Sequence, residues 1–176
     1  MTNLAWHFTG DTLRDGSPIP AVGQKLTLKG GIKICSCGYH WSKQPFDALQ
    51  YAPGSKLHLV EYGGIVQEQD DKGCSSERTI LKSIDATTLL RRFAADQALS
   101  VAHLWNMPDV VREYLTTLDE KIRIAAATRA ADATYAAYTA AYAADAARAT
   151  YAAADARARK DFNSMVYKAF NMEVIQ

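Results

Sequence analysis

The feature that most constrains this fold is a change of period at Ile84. All ten glycines fall at or before Gly73, and none follows. Up to Ile84 the turn-forming strings "GDTLRDGSPIP", "KGG", "APGS", "YGG" and "DDKG" separate short β-rich runs. Such punctuation predicts strands near Leu4 to Thr9, Lys25 to Leu28, Ile32 to Cys37, Lys56 to Tyr62, Ile65 to Gln69 and Arg78 to Ile84. One helix is expected at "PFDALQYA". "KLHLVEYGGIVQEQ" reads as a hairpin turning at Gly63-Gly64, because apolar and polar residues alternate on either side of a glycine pair.

Beyond Ile84 the spacing becomes helical. Asp85 is placed as an N-cap, and Leu90, Phe93, Ala94, Gln97, Val101, Leu104 and Trp105 recur at three- and four-residue steps. "NMP" stops that helix, and Pro108 suits the first turn of the next. From Asp119 to Lys160 neither Gly nor Pro intervenes, and 20 of the 34 residues from Ala125 to Ala158 are Ala. Alanine is the best helix former, so the stretch predicts one helix of about 60 Å at ~1.5 Å per residue. On it Tyr135, Tyr138 and Tyr142 form a stripe that packs against another helix, within the chain or on a second copy, or else offers a stacking surface. "DFNSMVYKAFNMEVI" adds a last amphipathic helix carrying Phe162, Met165, Val166, Ala169 and Phe170. The expected fold is therefore α+β: residues 1–84 a small, mainly antiparallel sheet with one helix, and residues 85–176 an α-helical part. Small-residue helix faces lead us to expect a homo-oligomer through the C-terminal helices.

The net charge is +1, with 9 basic and 8 acidic residues up to Ile84 and 11 of each after it. A balanced chain argues against nonspecific nucleic-acid binding, which draws its affinity from phosphate neutralisation, but a small nucleotide needs only a few donors. No apolar run reaches membrane-spanning length, and "MTNLAWHFTGDTLRDG" lacks a signal-peptide layout, so we expect no membrane partner and a cytoplasmic location. Cys35, Cys37 and Cys74 are too few for a disulfide framework. With His40 they give C-x-C-x2-H plus a distant Cys, not the C-x2-C knuckle of structural zinc. Buried inert thiols on a strand, and no metal, are expected instead. P-loop, dinucleotide-fold, zinc-protease and hydrolase motifs are all missing.

The richest local signal is "CGYHWSKQPFDALQYAPG", where Tyr39, His40, Trp41 and Ser42 crowd behind a glycine ahead of a short helix ending near Tyr51. Aromatics, a histidine and a hydroxyl beside a turn mark a ligand site, although the same residues suit a sheet corner. His7, between Trp6 and Phe8, fits either a hydrogen-bonded structural role or a functional one.

This stretch, together with "AWHFTGDTLRDGSPIP", "VEYGGIVQEQDDKG" and "ERTILKSID" leading to "LLRRFA", resembles an uncharacterised family of phage and prophage proteins. That resemblance implies a viral accessory protein in the host cytoplasm, one that meets a bacterial defence system. A fainter likeness is to the ADP-ribosyltransferase superfamily. It would make His7, Tyr39 and Glu77 catalytic and NAD the cofactor: His7 with the Thr9 hydroxyl holds a ribose, an aromatic stacks on nicotinamide, and a carboxylate steadies the oxocarbenium-like centre. The motif departs from the superfamily at "HFT", and only 38 positions separate Tyr39 from Glu77.

The leading expectation is a non-catalytic, cofactor-free phage accessory protein that counters a defence system by binding. It would sequester a nucleotide-type signal through His7, Thr9, Tyr39, His40, Trp41, Ser42 and Tyr51, or capture a defence protein. The alternatives are the NAD-using enzyme and a structural virion or assembly component built on the long helix.

Overall fold

The computed structural model describes residues 3–104, 106–130 and 148–172, with side chains of the last segment from residue 155. The chain forms two compact units, Met1–Thr87 with Phe162–Gln176, and Thr88–Asp161. The first therefore takes back the end of the C-terminal helix, which a simple division at residue 84 assigns to the helical part.

In that first unit the strands are β1 (Leu4–Thr9), β2 (Lys25–Thr27), β3 (Tyr39–Trp41), β4 (Lys56–Glu68) and β5 (Gly73–Asp85), with α1 (Pro45–Leu49) between β3 and β4. All ladders are antiparallel, in the order β1-β4-β5-β2, with β3 also on β5. This is the small antiparallel sheet of an α+β protein. Just past β3 the chain returns to the other side of the sheet: Trp6 N–H donates to Ser42 O at 2.8 Å, and Ser42 N–H to Trp6 O at 2.9 Å. Two reciprocal bonds on the outer edge of β1 curl the sheet toward closure and remove part of an exposed edge.

The predicted hairpin at Gly63-Gly64 is not formed. β4 runs straight through it, with a register irregularity against β5 between Gly63 and Val66. Gly64 has φ +72°, and a Cβ there would overlap Ser76 Oγ, which instead accepts the Ile65 N–H at 2.9 Å. The glycine pair thus makes a bulge, and the hairpin closes later, at residues 69–72. The strand expected at Ile32 to Cys37 is likewise a tight loop. Lys33 O accepts the N–H groups of Ser36 and Cys37, and Cys35 sits at φ 65°. Side chains replace ladder partners here, since Gln67 Oε1 takes the Ile34 N–H at 3.0 Å and His40 Nε2 takes the Cys35 N–H at 2.9 Å.

Alternation along the strands gives the sheet two differently used faces. On one face Trp6, 3% exposed, meets Phe170 edge-on at 4.9 Å and Tyr167 at 5.8 Å between ring centroids. Phe162, Val166, Tyr167 and Phe170 are all buried, so the end of the last helix packs on its own sheet. Asn163 Oδ1 accepts the Phe46 N–H at 2.8 Å, Tyr167 donates to Gln44 at 2.9 Å, and Lys82 donates to Phe170 O at 3.0 Å. On the other face Ala5, Trp41, Val60 and Ile80 form a buried cluster flanked by Ile19 and Tyr62.

The second unit is helical. α2 (Thr87–Ser100) follows Asp85, whose carboxylate accepts the Thr87 N–H at 2.8 Å, as an N-cap should. A 3-10 turn (Ala102–Leu104) leads to α3 (Asp109–Thr117), which starts after Pro108 and stops at Leu118 with φ 56°. Arg92 donates to the carbonyls of Leu115 and Thr116 at 2.7 and 3.0 Å, satisfying groups that a helix end leaves open. Residues 123–130 form α4, and α5 spans Arg148–Ala169. Whether one uninterrupted helix joins them, and where Tyr135, Tyr138 and Tyr142 lie, falls outside the described residues.

Candidate functional site

A cleft of about 1080 Å³ opens in the first unit, lined by sheet residues that include His7, Thr9 and Arg78 and by the loops around residues 10–15 and 35–38. All seven residues expected to bind a ligand line it: His7, Thr9, Tyr39, His40, Trp41, Ser42 and Tyr51. Their roles differ. Trp41, 2% exposed, stacks on Tyr62 at 3.8 Å and donates to Ser75 Oγ at 3.2 Å, so its ring belongs to the core. Gly73 faces that ring so closely that a Cβ would collide with it. Ser42 is buried and closes the sheet through its backbone. Thr9 Oγ1 lies 2.9 Å from His58 Nε2, while His58 Nδ1 lies 2.7 Å from Ser83 Oγ. The stretch "CGYHWSKQPFDALQYAPG" is thus a sheet corner and a cleft wall at once.

His7, Tyr39, His40 and Tyr51 keep accessible surface in the cleft. Burial first, then Arg78, then the neighbouring His58 and His40 hold His7 well below the ordinary imidazole pKa. Its ring lies 6.4 Å from that of His58, nearly parallel. Burial and the cations Arg78, Arg14 and Lys72 lower His40, although its bond with Gly38 pulls the other way. Both rings are therefore neutral at pH 7; His40 already accepts the Cys35 N–H at Nε2 and bonds Gly38, and His7 brings one donor and one acceptor nitrogen to the cleft. Tyr51, 49% exposed, donates to Asp71 and carries Lys72 over its ring at 4.9 Å.

Sequence reasoning missed Arg78. It is 4% exposed, lines the cleft, and stands over the Tyr39 ring at 5.4 Å. The available signal was its i+2 relation to Ile80, which puts both on the buried face of β5. Glu77, the expected catalytic carboxylate, consequently projects from the opposite face. It pairs with Lys25 at 2.7 Å and is not among the cleft residues. The superfamily's His-Tyr-Glu constellation is not assembled, because one step along a strand reverses the side chain.

Cys74 is buried as expected, but Cys35 and Cys37 are exposed on the loop at the cleft mouth. Among the described residues no group of three or more His, Cys, Asp or Glu side chains is arranged to hold a metal ion. No helix among them is long and apolar enough to cross a membrane.

Residues 4–92 match the family described as a domain of unknown function, DUF7666. The chain belongs to that family. The matched stretch takes in every strand of the DUF7666 domain and every residue lining its cleft. No curated protein and no solved structure matches the chain.

Proposed function

We propose that the chain is a binding protein whose cleft takes a small nucleotide-type ligand without turning it over. One observation carries the proposal: a single cleft gathers two neutral histidines, an accessible tyrosine ring and a buried guanidinium. A concave site with a few convergent polar groups of perturbed pKa is the usual setting for a small ligand. The resemblance to phage and prophage proteins extends the proposal to sequestration of a nucleotide-type signal used by a bacterial defence system. The position of Glu77 weighs against the ADP-ribosyltransferase alternative, which needs a carboxylate at the reacting centre.

The test is a thermal-shift screen of the full chain against NAD, ADP-ribose and cyclic nucleotides, with each bound compound recovered and analysed. A stabilising compound returned intact, whose effect Tyr39→Ala removes, supports sequestration. Glu77→Gln should bind that compound like the wild type. If Glu77→Gln instead abolished NAD-dependent labelling of a bacterial lysate by the wild-type protein, the enzyme reading would replace this one. No shift with any nucleotide would move the function to capture of a defence protein.

A further inference from the structure

Arg78 has an unusual set of contacts for a buried cation. Its Nη1 donates to His40 O at 2.8 Å, while Nε is buried with no hydrogen-bond partner among the described residues. Nη2 makes no hydrogen bond there either, and no ion pair includes this guanidinium. Burial lowers its pKa to about 10, with the neighbouring Tyr39 acting in the opposite sense, and this leaves the guanidinium charged at neutral pH. A buried charge is normally matched by a counter-charge, because desolvation without compensation costs stability.

The surroundings supply more positive charge and little to cancel it. Arg14 and Lys72 also line the cleft, both act with Arg78 on His40, and neither is ion-paired among the described residues. The carboxylates in the lining are engaged elsewhere. Asp11 pairs with Lys56 at 3.1 Å, while Asp15 accepts from Ser17 N–H and Oγ at 3.0 and 2.6 Å and keeps its charge without an ion pair to Arg14, Lys72 or Arg78 among the described residues.

Resting on the reading of the cleft as a ligand site, we infer that Arg78 is the seat for a phosphate group of the nucleotide-type ligand. Its Nη2 makes no hydrogen bond among the described residues and is left to donate to an oxyanion in the cleft, and Arg14 and Lys72 add positive charge to the same lining. Three cations in one lining favour a phosphate over a singly charged carboxylate, even with Lys72 also hydrogen-bonded to Tyr51 and Cys35. Tyr39, whose ring centroid lies 5.4 Å from the guanidinium, offers an aromatic surface beside that seat for the attached base or sugar.

The probes are pyrophosphate, AMP and adenosine, added to the full chain in a thermal melt at pH 7.5 and low salt. Pyrophosphate and AMP are expected to raise the wild-type melting temperature in step with log concentration, and adenosine to raise it less. In Arg78→Gln the pyrophosphate shift should vanish, while the unliganded melting temperature stays level or rises, because a lone buried charge has gone. Arg78→Lys keeps a point charge without the fork and should retain a reduced shift. No pyrophosphate shift in the wild type, or an equal one in Arg78→Gln, would overturn the phosphate seat. So would a large fall in the unliganded melting temperature of Arg78→Gln, which would make Arg78 a structural clamp on His40 O. Equal stabilisation by adenosine and AMP would also overturn it, yet leave the cleft standing as a nucleoside-type site. That result separates failure of the phosphate seat from failure of the binding reading.

Discussion

Acid should loosen this fold through His58, and the size of the effect follows from its surroundings. His58 is 1% exposed, and burial, then Arg78, then Lys56 push its pKa down from 6.5 to about 4. Both ring nitrogens already have partners suited to the neutral form. Thr9 donates its hydroxyl to Gly10 O, so it accepts from Nε2–H, which leaves Nδ1 to accept from Ser83. A proton on Nδ1 would turn that acceptor into a donor and bury a second cation near Arg78. Because the folded pKa is depressed, the folded state binds fewer protons than the unfolded chain. Stability is therefore intact above pH 6.5 and declines as the pH falls toward 4.

Linkage between those two values predicts a loss of about 2 kcal/mol by pH 5 and about 3 kcal/mol by pH 4 from His58 alone. That is a sizeable share of the roughly 5–15 kcal/mol that holds a domain folded. His7 and His40 are lowered as well and add in the same direction. The assay is urea unfolding at pH 7.5, 6 and 5 for the wild type and His58→Gln, which keeps a donor and an acceptor but does not titrate. The variant's loss between pH 7.5 and 5 should be smaller than the wild type's by about 2 kcal/mol. Parallel pH curves for the two proteins would refute the reasoning, whatever their absolute stabilities.

Two further expectations concern the frame that holds the cleft. Trp6→Ala should cost about 3–5 kcal/mol in urea unfolding, the usual range for emptying a buried aromatic site, because Tyr167 and Phe170 lose the ring they pack on. A cost no larger than that of a surface substitution would mean that the last helix is not seated on the sheet. Gly64→Ala should destabilise by more than about 1 kcal/mol, since φ +72° and the nearness of Ser76 both exclude a Cβ. A neutral result would show that the bulge at this point can be remade.

Strands were legible only where residue types and flanking turns agreed: the one expected over Ile32 to Cys37 forms instead at Tyr39–Trp41, past the glycine of "CGYHW". β1 was legible over Leu4–Thr9 because its residue types and flanking turns agree. The bulge at Gly63-Gly64 was not, since a hairpin turn and a bulge both require glycine at positive φ. Only the pairing of β4 with β5 along both segments decides between them. In the same way, "GYHWS" announced a site, but Trp41's partner Tyr62 is remote in sequence, and no local pattern separates a stacking platform from a core ring. Glu77 and Arg78 show the limit most clearly. Neighbouring charged residues at a strand look alike in sequence, and the phase of the strand alone decides which enters the cleft. Reading that phase from the apolar Ile80 would have exchanged the two.

The most direct test of the binding account is a calorimetric cycle: AMP and adenosine, each titrated into the wild type and into Arg78→Gln at fixed low salt. The account predicts that the wild type prefers AMP by at least about tenfold, and that Arg78→Gln binds the two compounds alike, which isolates the coupling between guanidinium and phosphate. An AMP preference of the same size in both proteins would contradict it, because the phosphate would then be recognised somewhere other than at Arg78.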